Sequence, residues 1–230
     1  MTFESAGLPV IDRPDVTVAL VEVVAVDGRE GQRAATDAIS AHWRSGVWPA
    51  ELVSLSCYAS TDGAWVLTYA QWSSDEALHG SLRQETGVSR GGPVWEAVGA
   101  RPSGAVPFRL YRVVRGGRVT DTDPAPECFP AAVFPMAGEE AARGWIDGLL
   151  ASEEATEGAD RDYPGAIAAN FHIGLDGGSV LVLSEWVSEK EAADHIEEVI
   201  QPLLDQAGGG DPGALYAHCL TLESPEIPAT

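Results

Sequence analysis

Positive charge is what this 230-residue chain has least of: 14 Lys and Arg stand against 35 Asp and Glu, for a net charge of −21. Such a surface repels phosphate backbones and anionic headgroups, which argues against nucleic acid as a partner. Long apolar runs are also missing. Nothing approaches the roughly 20 residues that cross a bilayer, and the start MTFESAGLPVIDRP lacks a basic stretch followed by an apolar one. The expectation is a cytoplasmic protein with no membrane partner. Cysteine is scarce, and Cys57, Cys128 and Cys219 are too few and too far apart for a disulfide framework or a paired-cysteine metal knuckle. No His, Cys and carboxylate cluster has ligand spacing, so no metal site is expected.

What the chain does have is a segment that occurs twice. DGAWVLTYAQWSSDEALH begins at Asp62, and DGGSVLVLSEWVSEKEAADH begins at Asp176, each with a Trp ten residues after the Asp. Around both copies the same order of elements is legible. In the first half, residues 16–26 form a β-branched strand, and Ala35, Ala38, Ile39, His42 and Trp43 mark one buried helix face. Strands 52–60 and 65–72 then flank the turn TDG as a hairpin, a helix opens at Asp75, and a strand covers 108–114. In the second half, strand 129–136 precedes a helix with Ala142, Trp145, Ile146, Leu149 and Leu150 on one face. Strands 166–174 and 179–186 flank LDG, Ser188 and Glu191 form a capping box, and strand 215–222 closes the repeat.

The repeat predicts a duplication, with domains at 14–117 and 127–224, a linker at 118–126 and tails at 1–13 and 225–230. The linker assignment rests on the Gly, Thr, Asp and Pro content of RGGRVTDTDPAPE. The connection 87–107 reads as a long loop or lid. Each half is a ferredoxin-like βαββαβ unit of the α+β class, whose helices cover one sheet face only. Strands such as VALVEVVAV are apolar on both faces, as expected when both are covered. The predicted architecture is therefore two fused ferredoxin-like domains packed sheet to sheet, an intramolecular dimeric α/β barrel existing as a monomer or a homodimer.

The segment SEWVSEKEAADH, with Glu185, Trp186, Ser188 and His195, resembles the antibiotic biosynthesis monooxygenase family of the dimeric α/β-barrel superfamily, here in tandem. The first half follows the pattern more loosely through Gln71, Trp72 and Ser74, and its His79 falls two positions early. The resemblance implies a cofactor-independent oxygenase that turns phenolic polycyclic intermediates into quinones, with molecular oxygen as co-substrate. It also implies a pocket between helices and sheet, lined by a His on the second strand and an Asn and a Trp on the third. His172 matches that His, and Tyr58 is its counterpart in the first half. The Asn does not carry over, because Val182 and Thr68 stand at its place.

Oxygenation without metal or flavin needs a substrate that supplies its own electrons, a base near neutral pKa, a hydrogen-bond donor for the oxyanion and a dry aromatic cavity. Strand alternation puts Asn170 and His172 on one face. If that face meets the helices, His172 is the base. Asn170 and His195 then orient the substrate, His195 from the helix stripe Ala192, Ile196, Val199, and Trp186 is wall and donor. Tyr58, Thr68, Trp72 and Ser184 are the expected substrate contacts. Against an oxygenase acting on a small aromatic polycycle stand a cyclase or isomerase using the same pocket and a non-catalytic binder of small aromatics. Haem oxygenation is weaker, because the strand FPAAVFPM offers no Asn and few basic groups could meet propionates.

Overall fold

A computed structural model describes residues 5–83, 92–117, 125–157, 163–206 and 210–224. It divides into two compact units. Unit 1 holds the residues up to Pro107 together with those from His218 onward, and unit 2 runs from Phe108 to Ala217. Both are α+β units built on antiparallel sheet, as expected of a ferredoxin-like fold.

Unit 1 contains β1 (Ser5–Ala6), β2 (Val18–Ala25), α1 (Gly28–Ser45), β3 (Leu52–Ser60), β4 (Trp65–Trp72) and α2 (Asp75–Arg83). It continues with α3 (Gly92–Ala97) and β5 (Arg101–Pro102), so the connection expected as a loop carries ordered structure. Unit 2 contains most of β6 (Val106–Arg115), then β7 (Ala131–Pro135), α4 (Glu139–Glu157), β8 (Ala166–Gly174) and β9 (Ser179–Trp186). Next come α5 (Glu189–His195), a π-helical turn (Ile196–Ile200) and α6 (Gln201–Gln206), while β10 (Tyr216–Glu223) lies mostly in unit 1.

The repeated Asp-Gly answers a local need. In the first hairpin Asp62 Oδ1 accepts the Ala64 N–H at 2.9 Å, with Gly63 at φ +84°, and in the second Asp176 Oδ1 accepts the Gly178 N–H at 2.8 Å, with Gly177 at φ +72°. A carboxylate that binds backbone two residues on, followed by a residue free to take positive φ, closes each turn and sets its register. From those turns β3 pairs with β4 (Tyr58 opposite Leu67) and β8 with β9 (His172 opposite Leu181).

The fourth strand of each sheet comes from the other half of the sequence. β6, which follows the first repeat, pairs with β8, placing Leu110 opposite His172. β10, which follows the second repeat, runs between β1 and β3, and Ser56 and Thr221 share a hydroxyl hydrogen bond of 2.9 Å. The resulting orders are β1-β10-β3-β4-β2 in unit 1 and β6-β8-β9-β7 in unit 2. Boundaries drawn along the sequence at 14–117 and 127–224 follow the repeat, whereas the compact units exchange its last strand.

Helices cover one face of each sheet because their apolar stripes demand it. Gln32, Ala35, Ile39 and Trp43 of α1 are buried at helical spacing. On α4, Ala142 and Ile146 pack against Phe171, Ile173 and Val180, each large side chain contributing roughly 1.5–3 kcal/mol of burial. Tyr111 of β6 donates a 2.9 Å hydrogen bond to Asp147 of α4 and carries the Arg143 guanidinium 4.6 Å above its ring, which ties that helix to the sheet edge. Ser188 caps α5, its Oγ accepting the Glu191 N–H at 3.2 Å. The π-helical turn has a cause in sequence. Pro202 has no N–H for the carbonyl four residues back, and the preceding Gln201 N–H reaches Ile196 O instead, five residues back.

Candidate functional site

Unit 2 holds a cavity of about 460 Å³ between its sheet and its helices. Every lining residue lies between Val114 and Pro212. The floor is Ala132 and Phe134 of β7, Ala169 and Phe171 of β8, and Val182, Ser184 and Trp186 of β9; the roof is Trp145 and Leu149 of α4 with His195, Ile196, Ile200 and Leu203. Apart from Arg115, Glu153 and the imidazole, no lining side chain is ionisable below the range of tyrosine. An apolar hollow of this size with few polar groups suits a flat, neutral organic guest.

The polar groups converge on one ring. His195 ends α5, and its imidazole lies between Tyr163, with centroids 4.4 Å apart and planes at 63°, and Trp186, 4.8 Å away at 37°. Trp186 Nε1 donates to Ser184 Oγ at 3.1 Å, which fixes the indole plane. His195 Nδ1 is buried and has no hydrogen-bond partner among the described residues. Burial among aromatic faces pushes the imidazole pKa down to about 4, so the ring is neutral at ordinary pH and can both donate and accept. An unpaired buried nitrogen costs about 1–3 kcal/mol, a cost that a guest hydroxyl would remove.

Three expected site residues therefore meet here: Trp186, His195 and Ser184. Asn170 and His172 do not. Their strand face is turned away from the helices, and the cavity is lined instead by Ala169 and Phe171. The reason is register: directly paired strand residues share a face, and His172 pairs with Leu181, which alternates away from Trp186. His172 is fully buried, its Nδ1 3.1 Å from Asn170 O, and desolvation lowers its pKa to about 4. Asn170 is equally buried and donates to Leu183 O at 3.0 Å and Glu185 Oε1 at 2.9 Å. Neither side chain lines this cavity, and both are buried on the opposite face of the sheet.

In unit 1 the same correction applies to Tyr58. It pairs with Leu67 and so faces away from Trp72, its ring 5.7 Å from that of His218. Thr68 and Trp72 lie on the other face of β4; both are buried, and Trp72 Nε1 has no hydrogen-bond partner among the described residues. His79 is exposed, its Nδ1 2.7 Å from Asp75 O.

Sequence reasoning missed Tyr163, Phe134 and the wall built by the π-helical turn. Tyr163 precedes β8 in a turn, and no periodic signal marks it. Among the described residues no three His, Cys, Asp or Glu side chains gather as a metal site, and no helix is long and apolar enough to cross a membrane. Cys57 and Cys128 are buried, and burial pushes the Cys128 thiol up to about 11, which leaves it a thiol rather than a nucleophile.

No protein-family model and no curated protein matches the sequence. Solved structures do share its fold. An anthrone oxidase-like protein superposes with a TM-score of 0.69 at 16% identity, over 94% of this chain and 97% of its own. A putative monooxygenase from Fusobacterium nucleatum subsp. nucleatum gives 0.54 at 6% identity, over 92% of this chain and 97% of its own. The chain thus shares its fold with these two proteins.

Proposed function

We propose that the chain is a cofactor-independent monooxygenase that oxidises a phenolic polycycle of the anthrone or quinol type to a quinone. The observation that carries this reading is the neutral His195 imidazole, with an unpaired nitrogen, inside an aromatic-walled cavity large enough for a fused-ring guest. The name of the anthrone oxidase-like fold neighbour agrees with it.

The chain would need to do little, because the guest supplies the electrons. Trp186, Tyr163 and Phe134 sandwich the fused rings, and His195 takes a hydrogen bond from the reacting hydroxyl. Transfer of one electron to dioxygen makes a phenol strongly acidic, so even a weak base such as this imidazole accepts its proton. That hydroxyl belongs to the enol tautomer, whose proton came from the reacting CH₂; superoxide joins the radical at that carbon, and the proton returned from His195 makes a carbon-bound hydroperoxide. Loss of water from it leaves the quinone carbonyl, so one oxygen atom enters the product, the other leaves as water, and the reacting CH₂ gives up both hydrogens. The apolar wall keeps bulk water from these intermediates.

The test is oxygen uptake with 1,8-dihydroxyanthrone in metal-free buffer. One dioxygen consumed per quinone formed, faster than in buffer alone, is the expected result, and His195→Ala should lower kcat by about 10²- to 10⁴-fold. No acceleration over buffer overturns the reading. Product formed without oxygen would instead identify a cyclase or isomerase.

A further inference from the structure

The helix side of unit 1 is built on the same plan as the cavity of unit 2, yet its wall differs at one place. Thr68 stands four residues before Trp72 as Val182 stands four before Trp186. The partner of Val182 on β7 is Ala132, which lines the cavity, whereas the partner of Thr68 on β2 is Glu22. Glu22 is a carboxylate only 7% exposed, and the indole of Trp95 from α3, 2% exposed, donates to its Oε2 at 3.0 Å. Helix α3 packs on α1 and β5, which brings that indole to the helix side of the sheet.

The same face of unit 1 has other marks of a filled hollow. Ser81 occupies the place that His195 takes nine residues after Trp186, and Ala70 replaces Ser184, so the Trp72 indole has no hydroxyl to meet. A buried carboxylate with an aromatic N–H aimed at it is costly to assemble unless the pair forms, since an isolated carboxylate there would be desolvated. Glu22 is accordingly a built acceptor, and the indole is what meets it.

We infer that unit 1 carries a second aromatic-binding hollow, selective for a planar bicyclic ring with one ring N–H or O–H donor, and that the chain fills it with its own Trp95. Among the described residues, the hollow of unit 2 is left to take a guest from solution. The pair of units has become one open site and one closed one, and Trp95 is the internal ligand of the closed site.

The experiment is calorimetric titration of the full chain with indole, comparing the natural protein with Trp95→Gly. The variant should take up one more indole per chain than the natural protein, and indole should raise its Tm. Benzofuran, which has the same shape without the N–H, should bind the added site at least about 10-fold more weakly, because Glu22 is then left unpaired. Equal stoichiometry in the two proteins, or benzofuran binding as well as indole, overturns the inference. If Trp95→Gly is unfolded alone, saturating indole should restore its folded circular dichroism and benzofuran should not; indole failing to do so overturns it too. The result is independent of oxygen uptake by unit 2, so the two proposals stand or fall separately.

Discussion

His172, expected in the pocket, is buried on the opposite face of the sheet, and that burial gives it a measurable acid signature. Its folded pKa is about 4, lowered from 6.5 by burial. Below pH 6.5 the unfolded chain binds a proton that the folded chain refuses, so the stability it contributes is complete above 6.5 and is lost as pH falls toward 4. By linkage the loss is about 3 kcal/mol between those limits. Urea denaturation at a series of pH values should show this fall in the natural protein and a shallower one in His172→Leu. An unchanged slope would mean that the imidazole is already charged in the folded state. His195 was legible for a different reason: its place on a helix stripe depends on 3.6-residue spacing alone, which is read directly from sequence, with no partner strand to count.

At the scale of elements, the repeated βαββαβ order, the Asp-Gly hairpins and the Ser188 cap were all readable, because each rests on interactions within a few residues. Which face of β8 meets the helices was not read from alternation, which gives two faces without naming either. Counting back from the Asp176-Gly177 turn would have named it, since that count pairs Phe171 with Val182 and puts both beside Trp186. The bulge between Ala166 and Ala168 has no such mark, and it lets Ala166, opposite Trp186, and Ala169, opposite Ser184, share the cavity face although they stand three positions apart in sequence. A second close approach is equally silent. Gly213 has φ +85°, and a Cβ there would stand 2.0 Å from Ala131 O. Gly213→Ala should therefore cost about 1–3 kcal/mol, read from the denaturation midpoint, and weaken guest binding, since Ala131 and Pro212 line the hollow. Full stability in that variant would show that the bridge between Ala131 and Ala214 is dispensable.

For the whole molecule, the exchange of β6 and β10 sets how the chain must fold. Neither half of the sequence contains a complete sheet: the first lacks β10 beside β3, and the second lacks β6 beside β8. Contacts far apart in sequence must form before either unit closes, which favours one cooperative transition over two. A chain cut within residues 118–124 should give fragments that are unfolded separately by circular dichroism and regain structure when mixed in equal amounts. A fragment that folds by itself would show that the exchanged strand is an accessory.

That exchange also bears on how the two units came to differ. Separate identical subunits change together with every mutation, so a substitution that alters one wall alters its counterpart as well. Joined in one polypeptide and each dependent on the other's last strand, the halves stay matched one to one while their sequences drift apart. A residue such as Trp95 can therefore be buried in one half without altering the cavity wall of the other.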